Sequence, residues 1–182
     1  MAHSNIDKSL RDLLLGNVRS VPNFPKPGII FKDITPLLQD RYLLELTSRL
    51  LAEPFRGAKI DFVAGLESRG FLFGTNLAQD LHAGFVPIRK PGKLPASTHS
   101  IEYELEYGTD SLEVHTDSIQ SGDNVLIHDD LMATGGTSAA ASNLIRKMGG
   151  NIIGYSFVME ISALGGRRFL DQNLPVHSLL KV

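Results

Sequence analysis

The stretch Val125-Leu-Ile-His-Asp-Asp-Leu-Met-Ala-Thr-Gly-Gly-Thr137 decides the fold. Val125, Leu126 and Ile127 form a short apolar run, the pattern of a strand covered on both faces. Asp129 and Asp130 follow at the expected carboxyl end of that strand, where open α/β sheets bind ligands. Thr134, Gly135, Gly136 and Thr137 then lead into an Ala-rich run that starts a helix. The two glycines let backbone N–H groups converge, a helix N-terminus adds partial positive charge, and the threonine hydroxyls can donate as well. Such a cradle suits a phosphate monoester. Carboxylates accept hydrogen bonds and cannot donate, which suits sugar hydroxyls or hydrated Mg²⁺. A phosphate site beside a diol site describes a ribose 5-phosphate. The structural alternative is a turn with two aspartates capping a helix; the order strand, acid pair, Thr-Gly-Gly-Thr, helix favours the phosphosugar site. Neither Gly-x-x-x-x-Gly-Lys-[Ser/Thr] nor Gly-x-Gly-x-x-Gly occurs.

A second strand–loop–helix unit precedes this one. Residues 60–65 read as a buried strand, Leu66-Glu-Ser-Arg-Gly70 as a loop, and the residues to Leu81 as a helix with Leu72, Phe73, Leu77 and Leu81 facing inward. Arg69 at that helix N-terminus suits a second anion, or is a surface arginine. Residues 85–88 are another strand. Arg89-Lys-Pro-Gly-Lys-Leu-Pro95 then gathers three cations, as a solvated loop or a cationic lid. From Ser100 to Tyr107 the chain alternates, with Ile101, Tyr103, Leu105 and Tyr107 on one face and Glu102, Glu104 and Glu106 on the other; Leu112 and Val114 return, giving a hairpin. Downstream, Ala140, Leu144, Ile145 and Met148 form the inner face of the helix after the central motif. Residues 152–161 and 176–180 are further strands, and Gly165-Gly-Arg-Arg168 is a turn without an assigned role.

At the N-terminal end, Ser4 or Asn5 can cap a first helix with Ile6, Leu10, Leu13 and Leu14 on one face. Val21 to Asp33 holds three prolines and a glycine, so it reads as a stiff extended segment: a connector, or a hood over a flat ligand with Phe24, Ile29, Ile30 and Phe31 as its apolar wall. Thr35-Pro36 starts a short turn. Asp40 caps a helix to about Ala52 with Leu43, Leu46, Thr47 and Leu50 inward. The expected fold is α/β: a single domain over residues 1–182, with a mainly parallel five-stranded sheet flanked by helices. Residues 1–35 form the N-terminal helix and hood, and residues 89–116 the flexible lid and hairpin.

Composition bounds the function. With 182 residues, 42% hydrophobic and 21% charged, and net charge −2, nothing favours nucleic acid or an anionic membrane by bulk electrostatics. Cysteine is absent, which fits a reducing, cytoplasmic setting. The N-terminus is charged and reads as no signal peptide.

Four further segments join the central one: Phe24-Pro-Lys-Pro-Gly-Ile-Ile-Phe-Lys-Asp33, Gly65-Leu-Glu-Ser-Arg-Gly-Phe71, Ile88-Arg-Lys-Pro-Gly-Lys-Leu-Pro95 and Tyr103-Glu-Leu-Glu-Tyr-Gly108. In this order the chain resembles the adenine-accepting branch of the type I phosphoribosyltransferases, from about Val21 to the C-terminus. It departs at His128, where that family is usually aliphatic. Strand alternation puts His128 opposite Val125 and Ile127, as a core histidine rather than a catalytic one. The resemblance implies transfer of phosphoribosyl from phosphoribosyl diphosphate to adenine, giving AMP and pyrophosphate. It implies that Ala133, Thr134, Gly135, Gly136 and Thr137 hold the 5′-phosphate and that Asp129 and Asp130 face the ribose hydroxyls. Glu67, Ser68, Arg69 and Gly70 would bind pyrophosphate, in a loop that often has a non-proline cis peptide in this family. Arg89, Lys90 and Lys93 would neutralise the diphosphate, and Ile30, Phe31, Lys32 and Arg69 would surround adenine. Glu106 matches the acid/base candidate. Mg²⁺ would be held mainly by substrate oxygens and water, without a dedicated protein site, in a homodimer. A transferase for another base, or a phosphoribosyl-diphosphate-sensing regulator, are the alternatives.

Glu106→Ala is expected to lower turnover by a factor on the order of 10² to 10⁴, the range for removing a general acid or base. Glu104→Ala, one pleat earlier, is expected to do much less, and equal losses in a steady-state assay would make the strand rather than a positioned carboxylate the cause.

Overall fold

A computed structural model describes residues 7–104 and 108–182. Helix α1 (Lys8–Gly16) starts at Asp7, whose carboxylate accepts from the Ser9 N–H at 2.9 Å, so the cap lies later than the expected Ser4 or Asn5, which fall outside the described residues. The proline-rich segment folds back on itself: β1 (Arg19–Pro22) and β2 (Ile30–Asp33) pair antiparallel, where sequence reasoning gave only an extended segment. Thr35-Pro36 opens a short helix, α2 (Thr35–Gln39). Asp40 then caps α3 (Arg41–Ala52), accepting from Leu43 N–H at 3.0 Å. Leu51 rather than Leu50 completes the inward stripe of α3, because Leu50 sits at its edge.

Strands β3 (Phe62–Leu66) and β4 (Gly84–Ile88) flank α4 (Gly70–Asp80). Phe73 and Leu77 of α4 face the sheet as expected, but Leu72 is 45% exposed. Strands β5 (Thr98–Glu104) and β6 (Thr109–His115) form the hairpin. Then come β7 (Asn124–Met132), α5 (Gly136–Lys147), β8 (Asn151–Glu160) and β9 (Val176–Lys181). The main sheet has the order β4-β3-β7-β8-β9, with every neighbouring pair parallel.

Parallel strands need crossovers, and their helices cover both faces. On one face α1, α3 and α4 enclose Leu14, Leu46, Leu51, Phe73, Leu77 and Leu126. On the other, α5 and the hairpin enclose Leu112, Val114, Ile127, Leu144, Ile145 and Phe157. The return strand of the hairpin is therefore anchored in the core. The chain winds from β3 toward β4 on one side and from β7 toward β8 on the other. The strand order reverses between β3 and β7, which is the crevice where open α/β sheets bind ligands.

His128 shares a face with Leu126 and is fully buried; its Nδ1 lies 3.2 Å from Ser156 Oγ. Burial pulls its pKa down to about 3, against the smaller opposing effect of Ser156. A histidine neutral in the fold and titrating near 6.5 when unfolded gives stability that is full above pH 6.5 and lost as pH falls toward 3. At pH 5 this contribution is a loss of about 2 kcal/mol. The variant His128→Val is expected to lose less stability than the parent between pH 7.5 and pH 5 in urea unfolding; an unchanged pH dependence would show that the ring is not held neutral.

Candidate functional site

Strands β3 and β7 pair from Phe62 with Val125 to Gly65 with His128, so the loops that follow them open side by side. Each loop enters a helix. Helices α1 and α3 start with an aspartate side-chain cap, whereas α4 and α5 have no side-chain cap. The first-turn N–H groups of a helix have no partner within it, and the dipole makes that end attractive to anions. Two such ends thus lie at the crevice.

The expected phosphate residues gather at the start of α5. Gly135 takes φ +83°, a left-handed conformation that a side chain disfavours, and turns the chain into the helix. A cavity of about 70 Å³ is lined by Asp129, Ala133, Thr134, Gly135, Thr137 and Ser138. That is several times the roughly 10–15 Å³ that admits one water. The acid pair does not follow the strand, as expected, but lies within it: β7 runs on through Met132. Successive strand residues diverge, and here Asp129 lines the cavity while Asp130 turns to Arg69. Burial pushes the Asp129 carboxyl well above its ordinary pKa, and the neighbouring Asp130 charge adds to this. Burial also raises Asp130, with Arg69 opposing.

Arg69 joins the two ends of the site. Its Nε lies 3.1 Å from Asp130 Oδ2, off hydrogen-bond alignment, and its guanidinium sits 4.6 Å from the centre of the Phe31 ring. The Phe24 ring meets Phe31 edge-on at 5.1 Å. Gly70 allows this approach, since a Cβ there would lie 3.0 Å from both Asp129 Oδ1 and the His128 carbonyl oxygen. Of the other expected base-binding residues, Ile30 is 59% exposed at the start of β2, and Lys32 donates to Ser20 Oγ at 3.0 Å within the hood.

In the loop 67–70, the Glu67–Ser68 peptide is cis. The Glu67 carboxylate accepts from Arg89 Nε and Nη2 at 3.1 and 3.2 Å and from the Lys90 N–H at 2.9 Å. Burial would raise its pKa; the Lys90 N–H and Arg89 outweigh it and hold the group low. Arg89 is thus engaged by Glu67, and its Nη1 donates to the Lys93 carbonyl at 3.0 Å. Lys90 pairs with Asp110 and donates to Tyr103 Oη at 3.2 Å. The Lys93 side chain is exposed. Tyr103 Oη also lies 3.4 Å from Thr137 Oγ1, which ties the hairpin to the helix that opens the phosphate cavity. Sequence reasoning missed Tyr103 and Asp110; the alternation gave Tyr103 its face but not the partner of its hydroxyl. Glu106 lies outside the described residues.

A larger groove of about 440 Å³ lies between the outer faces of α3 and α4, lined by Arg41, Ser48, Arg49, Arg56, Asn76 and Asp80 among others. It lacks the acid pair and the glycine turn that give the crevice its chemistry.

The model of the phosphoribosyl transferase domain matches residues 36–168. The adenine phosphoribosyltransferase of Crocosphaera subtropica is 56% identical over 169 residues, covering 92% of this chain and 98% of that protein. The crystal structure of adenine phosphoribosyltransferase from Rhodothermus marinus has a TM-score of 0.92 at 49% identity, covering 96% of this chain and 99% of the other. The Saccharomyces cerevisiae enzyme, complexed with adenine and an imino-altritol bisphosphate, has a TM-score of 0.88 at 44% identity, covering 94% and 99%.

At Gly136 the nearest heavy atom to an added Cβ is the Glu104 carbonyl oxygen at 3.9 Å, so the fold has room for a side chain that would crowd a bound phosphate. Gly136→Val is expected to melt near the parent and to bind ribose 5-phosphate at least about tenfold more weakly by calorimetry, the price of one lost charge-assisted contact. Unchanged affinity in a folded variant would remove the cradle's role.

Proposed function

The chain belongs to the phosphoribosyltransferase family, and on that premise we propose that it transfers the 5-phosphoribosyl group of phosphoribosyl diphosphate to adenine, releasing AMP and pyrophosphate. The observation that carries this reading is the convergence of two uncapped helix ends, the Asp129–Asp130 pair and the Arg69–Phe31 stack in one crevice. The α5 end and Thr134 to Thr137 take the 5′-phosphate. Asp129 and Asp130 accept from the ribose hydroxyls, and the α4 end with residues 67–70 takes the diphosphate. Phe31 and Arg69 offer flat faces to the base.

The reaction displaces diphosphate from the anomeric carbon by a ring nitrogen of adenine, with inversion and an oxocarbenium-like transition state. A neutral base is a weak nucleophile, so a carboxylate that accepts its proton helps, and Glu106 is our candidate. Lys90 and Lys93 offer charge to the leaving diphosphate, while Arg89 fixes the Glu67 carboxylate and with it the start of the loop 67–70. The hairpin, tied at Tyr103 to Thr137, keeps water from the reacting carbon.

Among the described residues no three carboxylate or imidazole groups converge as a metal cage. Asp129 lines the cavity and Asp130 Oδ2 is buried without a hydrogen-bond partner, so the pair would suit hydrated Mg²⁺ held mainly through substrate oxygens and water, with Asp129 and Asp130 as its outer partners. When bound, that ion supplies neutralisation of the departing diphosphate.

The proposed setting is purine salvage in the cytoplasm by a homodimer. No described helix is long and apolar enough to cross a membrane, and cysteine is absent. Tyr42 and Leu72, exposed on α3 and α4, offer apolar surface to a second copy. Neither nucleic acid nor membrane is a proposed partner.

Base choice rests on main-chain groups in the hood. A backbone N–H donates to N1 of adenine and a backbone C=O accepts from its 6-amino group; we assign these to Ile30. Hypoxanthine and guanine present a donor at N1 and an acceptor at position 6, and main-chain groups cannot exchange roles. Each mismatched buried group costs about 1–3 kcal/mol. The ratio of kcat/KM for adenine over hypoxanthine or guanine is therefore expected at roughly 10⁴ or more. A ratio within about tenfold would move the chain to the 6-oxopurine branch, since two unpaired groups of that cost exclude so small a preference.

A further inference from the structure

Two segments remote in sequence meet backbone to backbone behind the phosphate cavity. A Cβ on Gly135 would overlap the Gly166 carbonyl oxygen and lie 3.0 Å from its carbonyl carbon. A Cβ on Gly166 would overlap the Ala133 carbonyl oxygen and lie 3.0 Å from the Gly135 nitrogen and 3.1 Å from the Thr134 carbonyl carbon. No flexible side chain separates the two, so a shift in one is passed to the other.

The turn that holds Gly166 is itself fixed from several sides. Arg167 Nε donates to both Glu160 oxygens at 2.9 and 3.0 Å, and its Nη2 donates to Glu160 Oε2 at 2.7 Å and Ser178 Oγ at 3.3 Å. Glu160 ends β8 and is buried; burial would raise its pKa, and Arg167 with Ser178 holds it below its ordinary value. On the far side Arg146 of α5 pairs with Asp171 at 2.7 Å, and Leu170 is buried in the core. Gln172 Nε2 donates to the carbonyls of Arg167 and Leu170 at 2.7 and 2.8 Å.

We propose that this turn is a positioning element for the 5′-phosphate: Gly166 sets the backbone of residues 133–135, and Arg167, clamped on Glu160, sets Gly166. The inference rests on the reading of residues 133–137 as the phosphate site. A cradle of N–H groups works only while their directions converge, and its own glycines leave it too pliant to hold them unaided. The rigid frame comes from the carboxyl end of β8 at Glu160 and from Ser178 within β9, passed on through a contact between glycines.

The test compares steady-state kinetics of Gly166→Ala and of the double variant Glu160→Gln/Arg167→Gln with the parent. The double variant removes both charges, so that no carboxylate is left buried and unpaired. In each, KM for phosphoribosyl diphosphate is expected to rise about tenfold, since a misplacement on the order of 1 Å costs up to about 100-fold. KM for adenine is expected within about twofold, because the base wall does not touch the turn; a general loosening of the domain would move both constants. Thermal melting reports folding. If Gly166→Ala fails to fold, the double variant decides alone. Parental KM for phosphoribosyl diphosphate in the folded variants overturns the proposal, as does loss of folding in both, which would make the turn a support of the domain. Gly136→Val separates this from the phosphate assignment: if it too binds normally, that assignment fails, and if it alone is impaired, only the positioning role fails.

Discussion

The ion pair between Arg69 and Asp130 is the constraint on which the rest of the crevice depends. Asp130 is 4% exposed, on the central strand of a sheet covered on both faces. A carboxylate so placed resists ionisation unless a cation stands beside it. Arg69 supplies that cation from the N-cap position of α4, which is possible because β3 and β7 are neighbours and Gly70 lets the helix come close. The same guanidinium lies against Phe31 of the hood. One side chain thus fixes the spacing between acid pair, second helix end and aromatic wall. Buried ion pairs are weak sources of stability, so the arrangement reads as a device for geometry rather than for folding.

Charge elsewhere follows the same logic of local partnership. Glu67 is held ionised by Arg89 and a backbone N–H, Asp110 by Lys90, and Glu160 by Arg167. Asp129 is the exception: burial and its acidic neighbour raise it, outweighing the Asp130 N–H that donates to its Oδ1 at 2.8 Å and the more distant Arg69. It is also the acid that lines the cavity. A carboxyl group left dependent on its surroundings responds to what binds next to it, which is the behaviour expected of a ligand-facing group.

Much of this was legible in the sequence because the signals were local. The apolar run Val125–Ile127, the glycine pair and the Ala-rich helix start fixed one strand–loop–helix unit, and Gly65 to Phe71 fixed the other. The five parallel strands, the hairpin and the burial of His128 follow from periodicity. What sequence could not give were contacts between remote segments. The β1–β2 pairing depends on the chain turning back through Pro25 and Gly28, and it links residues that look merely extended. Lys90, Tyr103, Asp110 and Thr137 meet only once the hairpin lies over α5. The Gly165-Gly-Arg-Arg168 turn carried no motif at all, because its contact is made by backbone and leaves no side-chain signature. The end of β7 was misjudged because acidic residues look like loop, whereas Arg69 and the flanking strands hold Asp130 in the sheet.

The two strands of the hairpin differ in how they are held. Leu112 and Val114 of β6 are buried under the main sheet, while Ser100, Glu102 and Glu104 of β5 point to solvent. Substitutions in a packed interior disturb stability by kilocalories, whereas exposed positions shift it little. The hairpin can therefore diverge at these three outward positions with hardly any effect on folding, while Ile101 and Tyr103 between them and the buried face of β6 stay constrained. Descendants of this chain thus have three alternate positions on β5 open to change, interleaved with Ile101 and Tyr103 that are not, so the outer face of the hairpin can acquire new surface chemistry without rebuilding the domain.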